Sequence, residues 1–206
     1  MTGVHAVVLA AGAGVRFGAS KLTAAWADGA LLDAALRTAC DAPVDGVIVV
    51  TGAHAGAVEA AVDAFARAQA TSVRTVACAD HAAGMSASLR CGLGALPADA
   101  EGAFIFLGDM PRIPAGLTRQ LLAALTGGAL AAAPVVGSRL GHPVLIARTL
   151  FEPFSHGAGD GGGGRILRAL GDALARVPVT DDGVLADVDT PADLSKLRPS
   201  RAPPPG

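Results

Sequence analysis

Six short apolar runs recur along this chain, at residues 6–10, 47–50, 73–77, 104–107, 130–133 and 144–147. Segments with apolar residues at helical spacing lie among them at 31–40, 57–68, 86–96 and 115–125, and shorter ones follow at 165–170 and 192–197. Four or five apolar residues make a strand, and a helix-length segment between two strands is what a parallel crossover requires. The alternation therefore predicts a βαβ build. Because the early runs are continuous instead of alternating with polar residues, their strands are read as covered on both faces, giving a three-layer αβα sandwich with a mostly parallel sheet. Sheets of this class bind ligands beyond the carboxyl ends of their strands, which singles out residues 11–21, 108–111 and 187–191.

With 206 residues, 51% of them hydrophobic, the chain can bury one substantial core. It is read as one domain over residues 1–198 and a proline-rich, disordered tail over 199–206. Aromatics are only 3% and tyrosine is absent, which suits close packing of small side chains, so Trp26 is read as a packing residue. Sixteen basic residues against 18 acidic ones leave a formal charge of -2 and no field that would draw the chain onto nucleic acid or an anionic membrane. A small-molecule substrate is the expectation. No basic leader and no run of about 18 to 20 apolar residues is seen, so the chain is read as cytoplasmic. Cys40, Cys78 and Cys91 are odd in number and show no C-x-x-C, which predicts buried small hydrophobes and not a disulfide framework or a thiolate metal site. His5, His54, His81 and His156 lack metal-ligand spacing and are read as structural or surface residues. The glycine-rich stretch 157–164 is read as a mobile loop.

After the first strand comes Leu9-Ala10-Ala11-Gly12-Ala13-Gly14-Val15-Arg16-Phe17-Gly18, and then Lys21. Glycines let backbone amides approach an anion. The spacing is G-x-G-x-x-x-G, with Phe17 where a dinucleotide fingerprint needs its third glycine, and the second strand ends in Thr51-Gly52-Ala53-His54 without a carboxylate for a ribose. A P-loop is excluded too, since Ala19-Ser20 precede Lys21 and Leu22 follows it. What is left is a loop of amides with two cations, Arg16 and Lys21, suited to the charge that grows on a departing pyrophosphate. A tight turn with two solvated charges explains the string equally well on its own.

The fourth strand runs into Gly108-Asp109-Met110-Pro111, placing an acid at the sheet's carboxyl edge, and a second acidic cluster, Asp187-Val188-Asp189-Thr190-Pro191, lies near the C-terminus. If residues 185–189 are extended, Asp187 and Asp189 share a face and either can meet Asp109 across neighbouring strand ends. Two carboxylates with phosphate oxygens make a magnesium site. The competing structural reading has Asp109 capping a turn and Asp189 capping a helix that begins near Pro191.

These residues, taken in order, resemble the molybdenum-cofactor nucleotidyltransferases, a branch of the nucleotidyltransferase superfamily with a Rossmann-like domain. The resemblance spans residues 4–197. It rests on L-A-A-G-A-G-V-R-F-G with Lys21, on Asp80 and the G-M-S-A-S-L-R-C-G-L string from Gly84, on L-G-D-M-P, on Gly141-His142-Pro143-Val144, and on D-V-D-T-P. The G-M-S-A-S-L-R-C-G-L string followed by G-H-P-V is most similar to the CTP-dependent molybdopterin cytidylyltransferases, with the GTP-dependent guanylyltransferases the near alternative. The resemblance implies transfer of CMP from CTP to the phosphate of molybdopterin cofactor, with release of pyrophosphate. It implies nucleotide binding by Ala10, Ala11, Gly12, Gly14, Arg16, Lys21, Asp80, Gly84, Ser86, Ser88 and Asp109, with Arg16, Lys21 and Asp109 catalytic. Asp109 with Asp187 or Asp189 would hold Mg2+, and Gly141, His142, Pro143, Asp160 and Gly161 would face the pterin acceptor. A molybdenum hydroxylase client, or its chaperone, is an implied partner. Ser20 stands where such proteins often have proline, and Gly162-Gly163-Gly164 replaces a less repetitive segment. Helix capping accounts for Ser86 and Ser88, and a turn for His142, without any ligand. A CTP-dependent transferase for a sugar or polyol phosphate, and a carrier that holds pterin or nucleotide without turnover, are the other readings.

Overall fold

The computed structural model describes residues 3–14, 17, 20–157 and 162–198. Its middle layer is a sheet in whose interior β1 (Val4–Ala10) is flanked by β4 (Gly46–Thr51) and β6 (Gly102–Leu107), both parallel to it. Beyond β4 lies the parallel strand β5 (Arg74–Ala77). On the other side β9 (Val144–Ala147) runs antiparallel between β6 and β7 (Ala131–Val136), and β10 (Leu174–Pro178) closes that edge parallel to β7. The order is β10-β7-β9-β6-β1-β4-β5, with the short β8 (Arg139–Leu140) hooked onto β7. A two-stranded hairpin, β2 (Ala25–Trp26) and β3 (Gly29–Ala30), stands apart.

Alternation along β1 divides the core in two. Val4, Ala6, Val8 and Ala10 face α1 (Leu31–Cys40), α2 (Ala55–Ala68) and α4 (Leu117–Thr126), where Leu32, Leu36, Val62, Phe65 and Leu121 are buried. Val7 and Ala11 face α3 (Met85–Gly94), α5 (Phe151–His156) and α6 (Gly162–Ala169), which contribute Leu89, Leu93, Phe154 and Leu167. Strands buried on both faces read as continuous apolar runs, so the three-layer, mostly parallel sandwich follows from the sequence pattern. At Gly92 a Cβ would run into the side chains of Val7 and Val50, so α3 lies close against β1 and β4 because no side chain intervenes.

Four expectations need correction. Cys78 and Cys91 form a disulfide with Cα atoms 5.8 Å apart, while Cys40 is free. The end of β5 and the body of α3 meet face to face, a proximity that a separation of 13 residues does not advertise. Residues 162–164 of the expected loop open α6. Residues 185–189 are not a strand: Leu185 ends a short 3-10 turn, Asp182–Leu185. The expected strand at 130–133 is shifted onto Ala131–Val136.

Candidate active site

The carboxyl ends of β1 and β6 bring the first two charged groups together. Lys21 lies in a 3-10 turn, Lys21–Thr23, beyond the glycine loop, and its Nζ is 2.6 Å from Asp109 Oδ2 and 3.0 Å from Asp189 Oδ1. Only 13% of the Lys21 side chain is exposed. Burial by itself would lower the Lys21 pKa, but the charges and hydrogen bonds of Asp109 and Asp189 outweigh it and hold the ammonium above its ordinary value. The lysine is therefore charged at neutral pH.

Asp189 arrives there because its neighbours take over the tasks the sequence could have given it. Thr190 is the N-cap of α7 (Pro191–Leu197) and forms a reciprocal capping box with Asp193, whose Oδ2 accepts from the Thr190 N–H at 2.9 Å. Asp189 is thus next to the cap and not the cap itself, its N–H reaching Asp193 Oδ2 at 3.3 Å, and its carboxylate points to Lys21. Val188 is fully buried against Trp26 and Leu31, with Phe17 packed on the same cluster, and its N–H donates to the Asp109 carbonyl at 3.0 Å. With the residue between them turned inward, Asp187 and Asp189 flank a fixed point.

The glycine loop sits beside this centre. Ala10 and Ala11 are buried, Gly12 is open to solvent with space around its α-carbon, and Gly14 has φ +59°. His54 hydrogen-bonds the Ala13 carbonyl at 3.0 Å, and the Phe17 N–H donates to the Gly14 carbonyl at 2.8 Å. Arg16 lies outside the described residues, as do Asp160 and Gly161.

A cleft of about 710 Å³ opens next to the acidic centre, lined among others by Ser86, Gly141 and His142. Gly84 is the N-cap of α3 with φ +107°, a conformation open to glycine, so neither Ser86 nor Ser88 caps the helix. Ser86 faces the cleft, whereas Ser88 is buried. Asp80 is exposed just past β5. His142 precedes Pro143 through a cis peptide bond, and its Nδ1 is buried with no hydrogen-bond partner among the described residues. Burial lowers the His142 pKa against the opposing effects of a hydrogen bond to the Ile105 backbone and the charges of Asp109 and Asp187. A neutral imidazole with one buried, unused nitrogen thus stands between the cleft and the acidic centre.

Lys21, Asp109 and Asp189 are brought together, with Asp187 and His142 nearby; Asp80 and Ser88 stand apart. The cleft's other charged lining residues, Arg139, Arg168 and Arg176, carried no signal in the sequence, since they come from separate elements.

The model of the MobA-like NTP transferase domain matches residues 6–177. The chain belongs to that family. Within it, the chain is 24% identical over 195 residues to the molybdenum cofactor cytidylyltransferase of Escherichia coli (strain K12), covering 94% of this chain and 95% of that protein. Among solved structures it resembles Rv0371c from Mycobacterium tuberculosis H37Rv, with 29% identity, 97% and 98% coverage of the two chains and a TM-score of 0.80. It also resembles the complex of Rv0371C with manganese from the same organism, at 28% identity, 97% and 99% coverage and a TM-score of 0.77. Family membership makes the chain a nucleotidyltransferase with an α/β nucleotidyltransferase fold. No helix among the described residues is long and apolar enough to cross a membrane.

Proposed function

We propose that the protein transfers CMP from CTP to the phosphate of molybdopterin cofactor and releases pyrophosphate, with residues 1–198 acting as one nucleotidyltransferase domain. The observation that carries this reading is the Lys21 ammonium held between Asp109 and Asp189 beside a cleft large enough for an acceptor. Likeness to the cytidylyltransferase of Escherichia coli supports the choice of CTP and of a pterin acceptor.

Among the described residues no group of three or more His, Cys, Asp or Glu side chains forms a metal cage. Two carboxylates around one cation nevertheless fit a hard divalent ion, whose shell phosphate oxygens and water complete. Asp109 with Asp189 or Asp187 would hold Mg2+, which when bound supplies charge neutralisation on the phosphates.

The protein's own groups account for the rest. The amides around Gly12 and Gly14, with Arg16 and Lys21, bind the triphosphate and stabilise charge on the leaving pyrophosphate. Asp80, Gly84, Ser86 and Ser88 lie toward the base and ribose. Gly141, His142, Pro143, Asp160 and Gly161 orient the acceptor. An acceptor phosphate has a second pKa of about 6 and is already ionised at neutral pH, so alignment on the α-phosphorus matters more than a general base. A molybdenum hydroxylase or its chaperone would receive the product, in the cytoplasm.

Pyrophosphate release from CTP and from GTP, each with Mg2+ and purified molybdopterin cofactor, tests the reading. Selective turnover of CTP is expected. Selective turnover of GTP would keep the chemistry and move the base preference, and no release with either nucleotide would overturn the acceptor assignment.

A further inference from the structure

The cleft extends beyond the acidic centre, and its far wall carries charge that the reaction above does not use. Arg139 of β8, Arg168 of α6 and Arg176 of β10 all line it. Arg176 lies two residues after the buried Leu174 and so shares the sheet face that α3, α5 and α6 cover. Its Nη1 donates to the Gly171 carbonyl at 3.2 Å, and Arg168 folds back over Gly164. Among the described residues, no carboxylate pairs with any of the three. All three are exposed along the same cleft, and planar forks of donors left without counter-charge match an oxyanion.

The separation of this cluster from the acidic centre follows from the sheet. In the order β10-β7-β9-β6, Arg176 sits three strands from β6, at whose end Asp109 stands. At about 4.8 Å per strand the two strands are about 14 Å apart, and because the register sets Arg176 level with Ile105, Asp109 lies a further four residues along the strand direction. The floor between them is apolar, with Leu89, Ile105 and Val144. His142 belongs to both regions, lining the cleft while lying near enough to Asp109 and Asp187 to feel their charges.

We infer that Arg139, Arg168 and Arg176 form an oxyanion subsite, and that the acceptor is a two-ended molecule with its reacting phosphate at Asp109 and a second anionic group at the arginines. This rests on the acceptor occupying the cleft as proposed above. A polyol monophosphate, with a single charged end, would leave the subsite unused.

The subsite is tested without turnover by calorimetric titration with inorganic phosphate. Wild type, Lys21→Met and the triple variant Arg139→Gln, Arg168→Gln, Arg176→Gln are compared. The Lys21→Met protein should keep a phosphate-binding event that the triple variant loses, with affinity falling at least tenfold. Equal phosphate affinity in wild type and triple variant, or loss in Lys21→Met alone, overturns the subsite. Binding of CTP with manganese to the triple variant reports that its fold is intact, and Arg168→Gln alone serves as a second variant should the triple one not fold. With molybdopterin cofactor as acceptor, its KM should rise about tenfold per arginine while the KM for CTP is unchanged. A matching rise for CTP overturns the two-ended acceptor. If wild type transfers nothing, the reaction proposed above fails, and the phosphate titration still decides the subsite.

Discussion

Beside the cleft Lys21 stands between two carboxylates, mostly withdrawn from solvent, with Asp109 tied down by a backbone bond from Val188; along the cleft itself, three arginines stand exposed with no carboxylate partner among the described residues. In the first, each charge is satisfied by its neighbours before any ligand arrives. In the second, the charges are left for the ligand to satisfy. Substitution should accordingly act on chemistry in the first region and on binding in the second.

The largest effect is expected at Asp109. Asp109→Asn should lower kcat about a thousandfold, on the scale of removing one preorganised electrostatic group, while circular dichroism and the thermal midpoint show the fold intact. A small loss would erase the contrast between the two regions. Next, Asp187→Asn and Asp189→Asn should differ, one weakening the dependence of rate on magnesium much more than the other. Equal and negligible effects in a magnesium titration would remove the metal assignment from this segment. Val188→Ala removes two methyl groups from a fully buried position and should cost about 2 kcal/mol in urea unfolding, with a fall in kcat because Asp187 and Asp189 lose their anchor. A stable but slower variant would sharpen the comparison most.

The smallest expected effect concerns pH. His142 has its pKa lowered from 6.5 by burial, so below that value the unfolded chain takes up a proton that the folded protein resists. Stability present above pH 6.5 is therefore lost as the pH falls through that value toward the lowered folded pKa. Urea midpoints followed downward from neutral pH should show this loss in wild type and a shallower one in His142→Gln.

How legible these features were depends on where the information lies. Residues 104–107 read as a strand because β6 is central and covered on both faces, and β1 and β4 were legible for the same reason. By contrast β10, Leu-Ala-Arg-Val-Pro at the sheet edge, is broken by an arginine and ends in a proline, so its sequence does not read as a strand. The antiparallel direction of β9 is a matter of topology that no local pattern carries. In the site, Lys21, Asp109 and the two C-terminal acids stood out because they follow strands or repeat in a short string. The capping box of Thr190 and Asp193 was also readable, as T-x-x-D before a helix, and it frees Asp189 from capping. The three arginines could not be found this way, because β8, α6 and β10 meet only in three dimensions. The pairing of Cys78 with Cys91 was hidden for the same reason.

The anchoring of Val188 also sets an order of assembly during synthesis. The last strand of the sheet ends at Pro178, so every strand has been made before Asp187 and Asp189, and the candidate site is among the last parts for which the residues arrive. A chain broken off at Pro178 would lack both acids and also Val184, a fully buried member of the main core. The candidate site is thus closed only when the segment around Val188 binds back onto Asp109.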